Sequence, residues 1–232
     1  MQKTCFLAIA TAFTLMAGAA NALIIIDNST QGYYNAGLGD LALDSGLGAQ
    51  TDAATGNPLF PGANSFGGAD PVIPPNASEP NLGGADAGTQ AALGNFLGNT
   101  TALGGAWSAG PQAIPATWAV NTETAIVYEF TLTQTLTNFT IDVGIDNGVY
   151  VWLDGNYLIG AMAPGGAVAF EYSANAGTLA AGQHFLQILR EDHGGGTGYT
   201  IRAQGDAVAV TEPPLLLLLG LGLAGIFTSR RR

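Results

Sequence analysis

The chain has 232 residues, of which 17 are acidic and only 6 basic, giving a formal net charge of −11. A chain this acidic repels nucleic acid and anionic polymers, so nucleic acid is excluded as a partner. Charged residues make up only 10% of the sequence, whereas glycine alone contributes 34 residues. Such a composition is typical of exported proteins, and the acidity suits solubility, Ca²⁺ binding or contact with neutral sugars.

The first 22 residues have the pattern of a secretory signal peptide. Lys3 supplies the positive charge at the amino end, and Phe6 to Gly18 form the apolar region. Ala20-Asn21-Ala22 fits the small-x-small rule for the cleavage site. The Sec translocon and signal peptidase are therefore the expected partners, and Leu23 should begin the exported chain. Cys5 is the only cysteine, so its removal excludes disulfides and thiolate metal sites.

The next segment predicts a short strand followed by a long region rich in loops. Leu23 to Asp27 is a β-branched run typical of a strand. From Asn35 to Pro115, glycine and proline interrupt regular structure every few positions, and a helical pattern spans Ala85 to Leu97. We expect these loops to pack on the rest of the domain through their few large apolar residues, which are Phe60, Phe66, Val72, Ile73 and Trp107.

Residues 116–206 show the alternation of apolar and polar side chains that predicts β-strands. The alternating runs are Ile126–Leu132, Phe139–Ile145, Val149–Leu153 and Tyr199–Ala203. Phe185–Leu189 is apolar on both parities, which indicates a strand buried on both faces. Turn-forming residues separate the runs at Asp146-Asn147-Gly148, Asp154-Gly155-Asn156 and Pro164-Gly165-Gly166. The pattern predicts an all-β domain over residues 23–208, built as an antiparallel β-sandwich.

The stretch from Val143 to Gly160 resembles the central hairpin of galactose-binding-like jelly-roll domains. In those domains an acidic pair precedes a strand that ends in a small turn, as Asp146-Asn147 and Asp154-Gly155-Asn156 do here. The resemblance implies a jelly-roll sandwich. Many members of that superfamily bind sugars, often with a structural Ca²⁺, and others are purely structural modules.

Candidate calcium ligands lie in this hairpin. Asp142 and Asp146 are four residues apart and share one face of the strand, and Asp146 and Asn147 offer oxygen atoms of the kind that Ca²⁺ binds. The alternative is that the turn residues only hydrogen-bond their own backbone. A structural Ca²⁺ is the one cofactor that these residues suggest.

Two aromatic residues of the hairpin are candidates for ligand binding. Tyr150 and Trp152 share the strand face opposite to Val149, Val151 and Leu153. If that face is open, the two rings form a platform on which sugars stack. If the loop-rich region covers it, they belong to the core and their polar tips find partners inside.

The densest group of ionisable residues is Arg190-Glu191-Asp192-His193, which is followed by three glycines. Glu191, Asp192 and His193 are candidates for holding a ligand or a metal, or for acting as a catalytic pair. The alternative is a charged strand end in which Arg190 pairs with a nearby acid. The chain has no nucleophile-elbow, HExxH, P-loop or Rossmann motif, so we assign no catalytic residue.

The carboxyl-terminal segment, residues 209–232, differs from the rest of the chain. Thr211-Glu212-Pro213-Pro214 precede an uncharged run from Leu215 through Leu219 to Phe227, and the chain ends in Arg230, Arg231 and Arg232. As a helix the run would be about 20 Å long, shorter than a bilayer core of about 30 Å. It predicts a short transmembrane helix that spans marginally, with the arginines on the cytoplasmic side.

This order of parts resembles the PEP-CTERM sorting signal of exported bacterial proteins, with Thr211-Glu212-Pro213 where the family has Pro-Glu-Pro. The resemblance implies a transient inner-membrane intermediate and cleavage near the motif by an exosortase. It also implies delivery to the cell surface or the extracellular space and a link to exopolysaccharide and biofilm. The alternatives are a plain tail anchor and a buried C-terminal helix.

These features predict an exported, non-catalytic β-sandwich that binds polysaccharide or serves as a structural component. Without Lys3 and the terminal arginines, Arg190 and Arg202 oppose all 17 acids, a net charge of −15. One alternative is a secreted carbohydrate-active enzyme with Glu191, Asp192 and His193 near its site. Another is an envelope protein without a ligand.

Overall fold

The computed structural model describes residues 22–62, 71–98 and 103–208, and Ala22–Val208 form one compact unit. The predictions for the signal helix, for Phe66 and for the tail from Thr211 to Arg232 lie outside these residues. Within the described ranges, no helix is both long and apolar enough to cross a membrane.

The described residues contain ten strands, which form two antiparallel sheets around a shared core. The strands are β1 (Ala22–Asp27), β2 (Gln31–Asn35), β3 (Gln112–Ala113), β4 (Thr124–Leu132), β5 (Leu136–Asp146), β6 (Gly148–Leu153), β7 (Asn156–Met162), β8 (Tyr172–Leu179), β9 (Gly182–Glu191) and β10 (Gly198–Ala207). The four-stranded sheet has the order β1-β10-β5-β8, and the six-stranded sheet has the order β3-β2-β4-β9-β6-β7. The predicted antiparallel β-sandwich is confirmed.

The first hydrophobic core lies between the two sheets, where the alternation of the strand sequences places it. Ile141 and Val143 of β5 and Ile126 and Ile188 of the other sheet are almost fully buried in one cluster. Burying a side chain of this size stabilises the fold by about 1.5–3 kcal/mol. The period of two in the sequence therefore decides which residues face the opposite sheet.

Strand β9 is buried on both faces, as the sequence predicts, because it lies inside the six-stranded sheet. Leu186 and Ile188 face the first core, whereas Phe185 and Leu189 face a second core on the outer side of the same sheet. An antiparallel strand can be apolar on both sides only if both of its faces are covered. The second cover comes from the loop-rich region.

We call the described residues between 36 and 111 the loop layer, because they fold over the outer face of the six-stranded sheet. Phe60 and Ile73 are buried there as predicted, and Trp107 packs against the second core, whereas Val72 is exposed. The other large apolar residues that the layer buries are Leu38, Leu41, Leu47, Leu59, Leu82, Leu93, Phe96 and Leu103.

Helix α1 (Ala87–Leu93) is shorter than the predicted helix over Ala85 to Leu97. The Asp86 carboxylate caps its first turn by accepting two backbone N–H groups, at 2.7 and 3.1 Å. The helix ends at Gly94, which has a φ of 56° and meets the Leu103 carbonyl so closely that a Cβ would lie 1.6 Å from its oxygen. Because only glycine fits there, the helix stops four residues before the predicted end.

The two ends of the compact unit lie side by side. β1 pairs with β10, so that Ala22 lies opposite Asp206 and Ile26 opposite Ala203. β1 is an edge strand of the four-stranded sheet, and its Leu23 and Ile24 are exposed. The predicted strand over Leu23 to Asp27 is therefore confirmed.

Candidate functional site

One end of the sandwich brings together two clusters that lie far apart in the sequence. The Asn147 backbone N–H donates to the Glu191 carbonyl oxygen at 3.2 Å, and the His193 N–H donates to Asn147 Oδ1 at 3.1 Å. This happens because β5 and β9 end here and β6 begins here. We call this region the acidic end; its residues are Asn121, Glu123, Asp146, Asn147, Glu191, Asp192 and His193.

The ionisable side chains of the acidic end are buried, except that of Asp146, which is half-buried. Glu191 is 0% exposed, Asp192 2% and His193 3%. The Asp192 carboxylate accepts the backbone N–H of Asn121, just before β4 begins. These contacts tie the ends of β4, β5 and β9 together, which is a structural role.

Glu123 belongs to the acidic end, although its sequence context does not single it out. Its Oε2 accepts the Leu41 N–H at 2.7 Å, and its own N–H donates to the Gly39 carbonyl at 2.9 Å. Burial raises the pKa of the Glu123 carboxyl to about 8; the Leu41 hydrogen bond opposes this rise, and the Asp40 and Asp192 carboxylates add to it. The side chain is therefore largely neutral at pH 7 while it joins the loop layer to β4.

Arg190 points to the opposite side of β9 from Glu191, because consecutive strand residues face opposite ways. It is 0% exposed; Nε donates to Thr124 Oγ1 at 2.9 Å, and Nη1 donates to the Pro115 carbonyl at 2.8 Å. Its guanidinium carbon lies over the rings of Trp118, Tyr199 and Tyr34, at 4.2, 4.9 and 5.4 Å from their centroids.

Within the described ranges, Arg190 does not pair with a nearby acid, although such a pair is the alternative expected from the sequence. No carboxylate of the described residues forms an ion pair with Arg190, and three aromatic faces surround the charge instead. Desolvation lowers the pKa of Arg190. The cation is held inside the domain by π-systems and two neutral oxygens.

The structure separates the candidate calcium ligands. Asp142 binds Arg202, with 3.0 Å between Oδ2 and Nη2, on the outer face of the four-stranded sheet. Four residues along a strand place it about 13 Å from Asp146. No group of three or more His, Cys, Asp or Glu side chains in the described residues is arranged to hold a metal. Calcium binding by Asp146 and Asn147 stays a prediction, and Asp142 does not lie with them.

Tyr150 and Trp152 are core residues, as the second interpretation of the aromatic pair expects. They are 1% and 0% exposed, beneath the loop layer. The Tyr150 hydroxyl donates to the Leu59 carbonyl, and Trp152 Nε1 donates to Glu79 Oε1 at 2.8 Å. The loop layer thus covers the face on which sugars were expected to stack.

Comparison with known proteins gives distant likeness only. No family model matches the chain, and no curated protein matches it. A solved PA14 sugar-binding domain from an RTX adhesin is 12% identical, with a TM-score of 0.32, over 76% of this chain and 90% of that one. The PA14 domain of the antifreeze protein MpAFP is 13% identical, with a TM-score of 0.32, over 88% of this chain and 90% of that one. Likeness at this level assigns no function.

Proposed function

We propose that this chain is an exported protein of the cell surface or extracellular matrix, and that its β-sandwich binds polysaccharide without turning it over. Its compact unit, Ala22–Val208, lies between the predicted signal peptide and the predicted sorting tail. This order along the chain supports a self-contained domain that the signal peptide and the sorting tail carry to the cell surface.

The burial of Glu191, Asp192 and His193 argues against catalysis at the acidic end, and it also keeps a polysaccharide from contacting these side chains there. Glycoside hydrolysis needs two carboxyl groups that flank the bond to be cleaved. Here Glu191 is fully buried, and Asp192 accepts the Asn121 N–H within the protein. A polymer chain does not reach side chains in this position, so the secreted-enzyme alternative lacks an accessible site at the acidic end.

The charge of the domain narrows the ligand class. With a net charge of −15 the exported chain repels uronic-acid and sulfated polymers. Neutral polysaccharides carry hydroxyl groups that hydrogen-bond to carboxylates and amides without this repulsion. We therefore expect the ligand to be a neutral polysaccharide.

The exported protein should be retained by immobilised neutral glucans and galactans, and not by alginate of matched chain length. Affinity electrophoresis checks the binding, and a reducing-end assay on the same polymers checks for turnover. Release of reducing ends that Glu191→Gln abolishes would establish the enzyme alternative instead. Failure to bind any neutral polymer would contradict the proposed binding function.

Sorting by an exosortase-type system is the second part of the proposal, and the motif Thr211-Glu212-Pro213-Pro214 supports it. Intact-mass spectrometry of the released protein should find a chain that ends between Glu212 and Pro214. A chain with Thr211-Glu212-Pro213-Pro214 changed to four alanines should stay in the membrane fraction. Released protein that still carries Arg230 to Arg232 would contradict cleavage.

A further inference from the structure

A groove lies in the loop layer, and none of the residues of the acidic end lines it. It consists of two adjoining depressions of about 280 and 330 Å³ that share Leu82, Gly83 and Leu97. Pockets for small ligands start at about 300 Å³, so each depression is near the size of a subsite. We call it the loop groove; its polar lining residues are Glu79, Asn81, Gln90 and Asn95.

The floor of the loop groove is apolar and firmly supported. Leu82, Leu93 and Phe96 line it, and each is largely buried in the second core. The Phe96 ring stacks on Trp107 at 5.9 Å and meets the Trp152 ring edge-on at 5.6 Å. Contacts of this kind keep a floor in one conformation and reduce the ordering cost of binding.

The polar groups at the rim of the loop groove differ in how many hydrogen bonds they already make within the protein. Glu79 uses Oε1 to accept the Trp152 indole N–H, which orients the carboxylate. Gln90 uses Nε2 to donate to the carbonyls of Gly83 and Ala85, at 2.9 and 2.7 Å, which leaves Oε1 as an acceptor. The Asn81 and Asn95 side chains are exposed and make no hydrogen bond within the described ranges. The rim thus offers amide donors, amide acceptors and one carboxylate.

We propose that the loop groove is the site that binds neutral polysaccharide, an inference that rests on the proposed binding function. Amides and a fixed carboxylate bind neighbouring hydroxyl groups, and Leu97, a half-buried apolar residue that lines both depressions, contacts the C–H face of a sugar ring. Glu79 and the acidity of the domain repel uronic-acid and sulfated chains. The candidate residues of the acidic end take no part in this contact.

The double variant Asn81→Ala, Asn95→Ala tests the inference because neither side chain supports the fold. Binding to the best-retained neutral glucan or galactan should weaken about tenfold or more, as the loss of two ligand hydrogen bonds predicts. Gln204→Ala removes an amide from β10 in the other sheet, and it should change the affinity less than twofold. Circular dichroism checks that all three proteins are folded.

A second variant blocks the groove with added volume. Gly83 lines both depressions, and a Cβ there would meet only Asn81 Oδ1, at 3.5 Å. The backbone at Gly83 therefore accepts a Cβ, and Gly83→Phe is expected to place a ring at the groove and abolish binding. If both groove variants bind with unchanged affinity, or if Gln204→Ala weakens binding as much as they do, the loop groove is not the binding site. The proposed binding function would still stand in that case. Absence of any binding by the unaltered protein would overturn both.

Discussion

Replacing Glu123 with glutamine is expected to remove most of the stability loss that the protein undergoes between about pH 5 and pH 8. The unfolded carboxyl titrates near 4.5, whereas burial raises the pKa of the folded one to about 8. The folded state therefore holds a proton that the unfolded state releases, so the free energy of unfolding falls as pH rises through this window. The whole effect is about 3 to 5 kcal/mol.

Urea unfolding at pH 5, 6, 7 and 8 measures this dependence. Glutamine can still accept the Leu41 N–H, so Glu123→Gln should match the original protein at pH 5 and exceed it at pH 8. Glu129→Gln is the matched control, because Glu129 is an exposed residue of β4, the strand that begins directly after Glu123. Both variants keep the His184–Asp154 pair. If the free energy of unfolding depends on pH in the same way in all three proteins, Glu123 does not hold a proton in the folded state at neutral pH.

Arg190→Ala is expected to destabilise the domain by about 3 to 5 kcal/mol, because it empties the space between three aromatic rings and leaves two oxygens without donors. Arg190→Met fills most of that space without a charge. It should cost less than half as much, since a buried cation without a carboxylate partner keeps much of its desolvation penalty. Urea unfolding at pH 6 compares the two variants.

Arg202→Ala is the control for Arg190, because Arg202 is partly exposed, although its partner Asp142 is largely buried. Leaving the Asp142 carboxylate without this partner should cost about 1 to 2 kcal/mol, less than the loss expected for Arg190→Ala. Equal effects of Arg190→Ala and Arg202→Ala would contradict the aromatic enclosure. A methionine variant as unstable as the alanine variant would show that charge, and not volume, holds the three rings together.

Sequence patterns predict the parts of this fold in which one side of a strand differs from the other. β5 and β10 alternate clearly, so their strand state and their core faces follow from period two alone. β8, with the sequence Tyr-Ser-Ala-Asn-Ala-Gly-Thr-Leu, has small and polar residues and no strong alternation. Its strand state depends on pairing with β5, which a local pattern does not contain.

The candidate site could be predicted only in pieces. Asp146-Asn147 and Glu191-Asp192-His193 are visible as local clusters, but their meeting depends on where β5 and β9 end. Glu123 is isolated in the sequence, and its raised pKa arises from burial, to which the Asp40 and Asp192 carboxylates add. The loop groove depends on turns between Glu79 and Gly98, where glycines remove the periodicity on which such predictions rely.

The neighbouring positions of β1 and β10 constrain when the four-stranded sheet can be completed. β1 pairs with β10 and with no other strand of the described residues, although 175 to 184 residues separate the paired positions, from Asp27↔Arg202 to Ala22↔Asp206. A chain that emerges from its amino end must hold β1 without a partner until its final strand arrives, and contacts so distant in sequence form slowly. The edge of β1 that faces β10 therefore stays unpaired until residues 198–207 have been made. Closure of the four-stranded sheet thus reports that the chain is complete through β10.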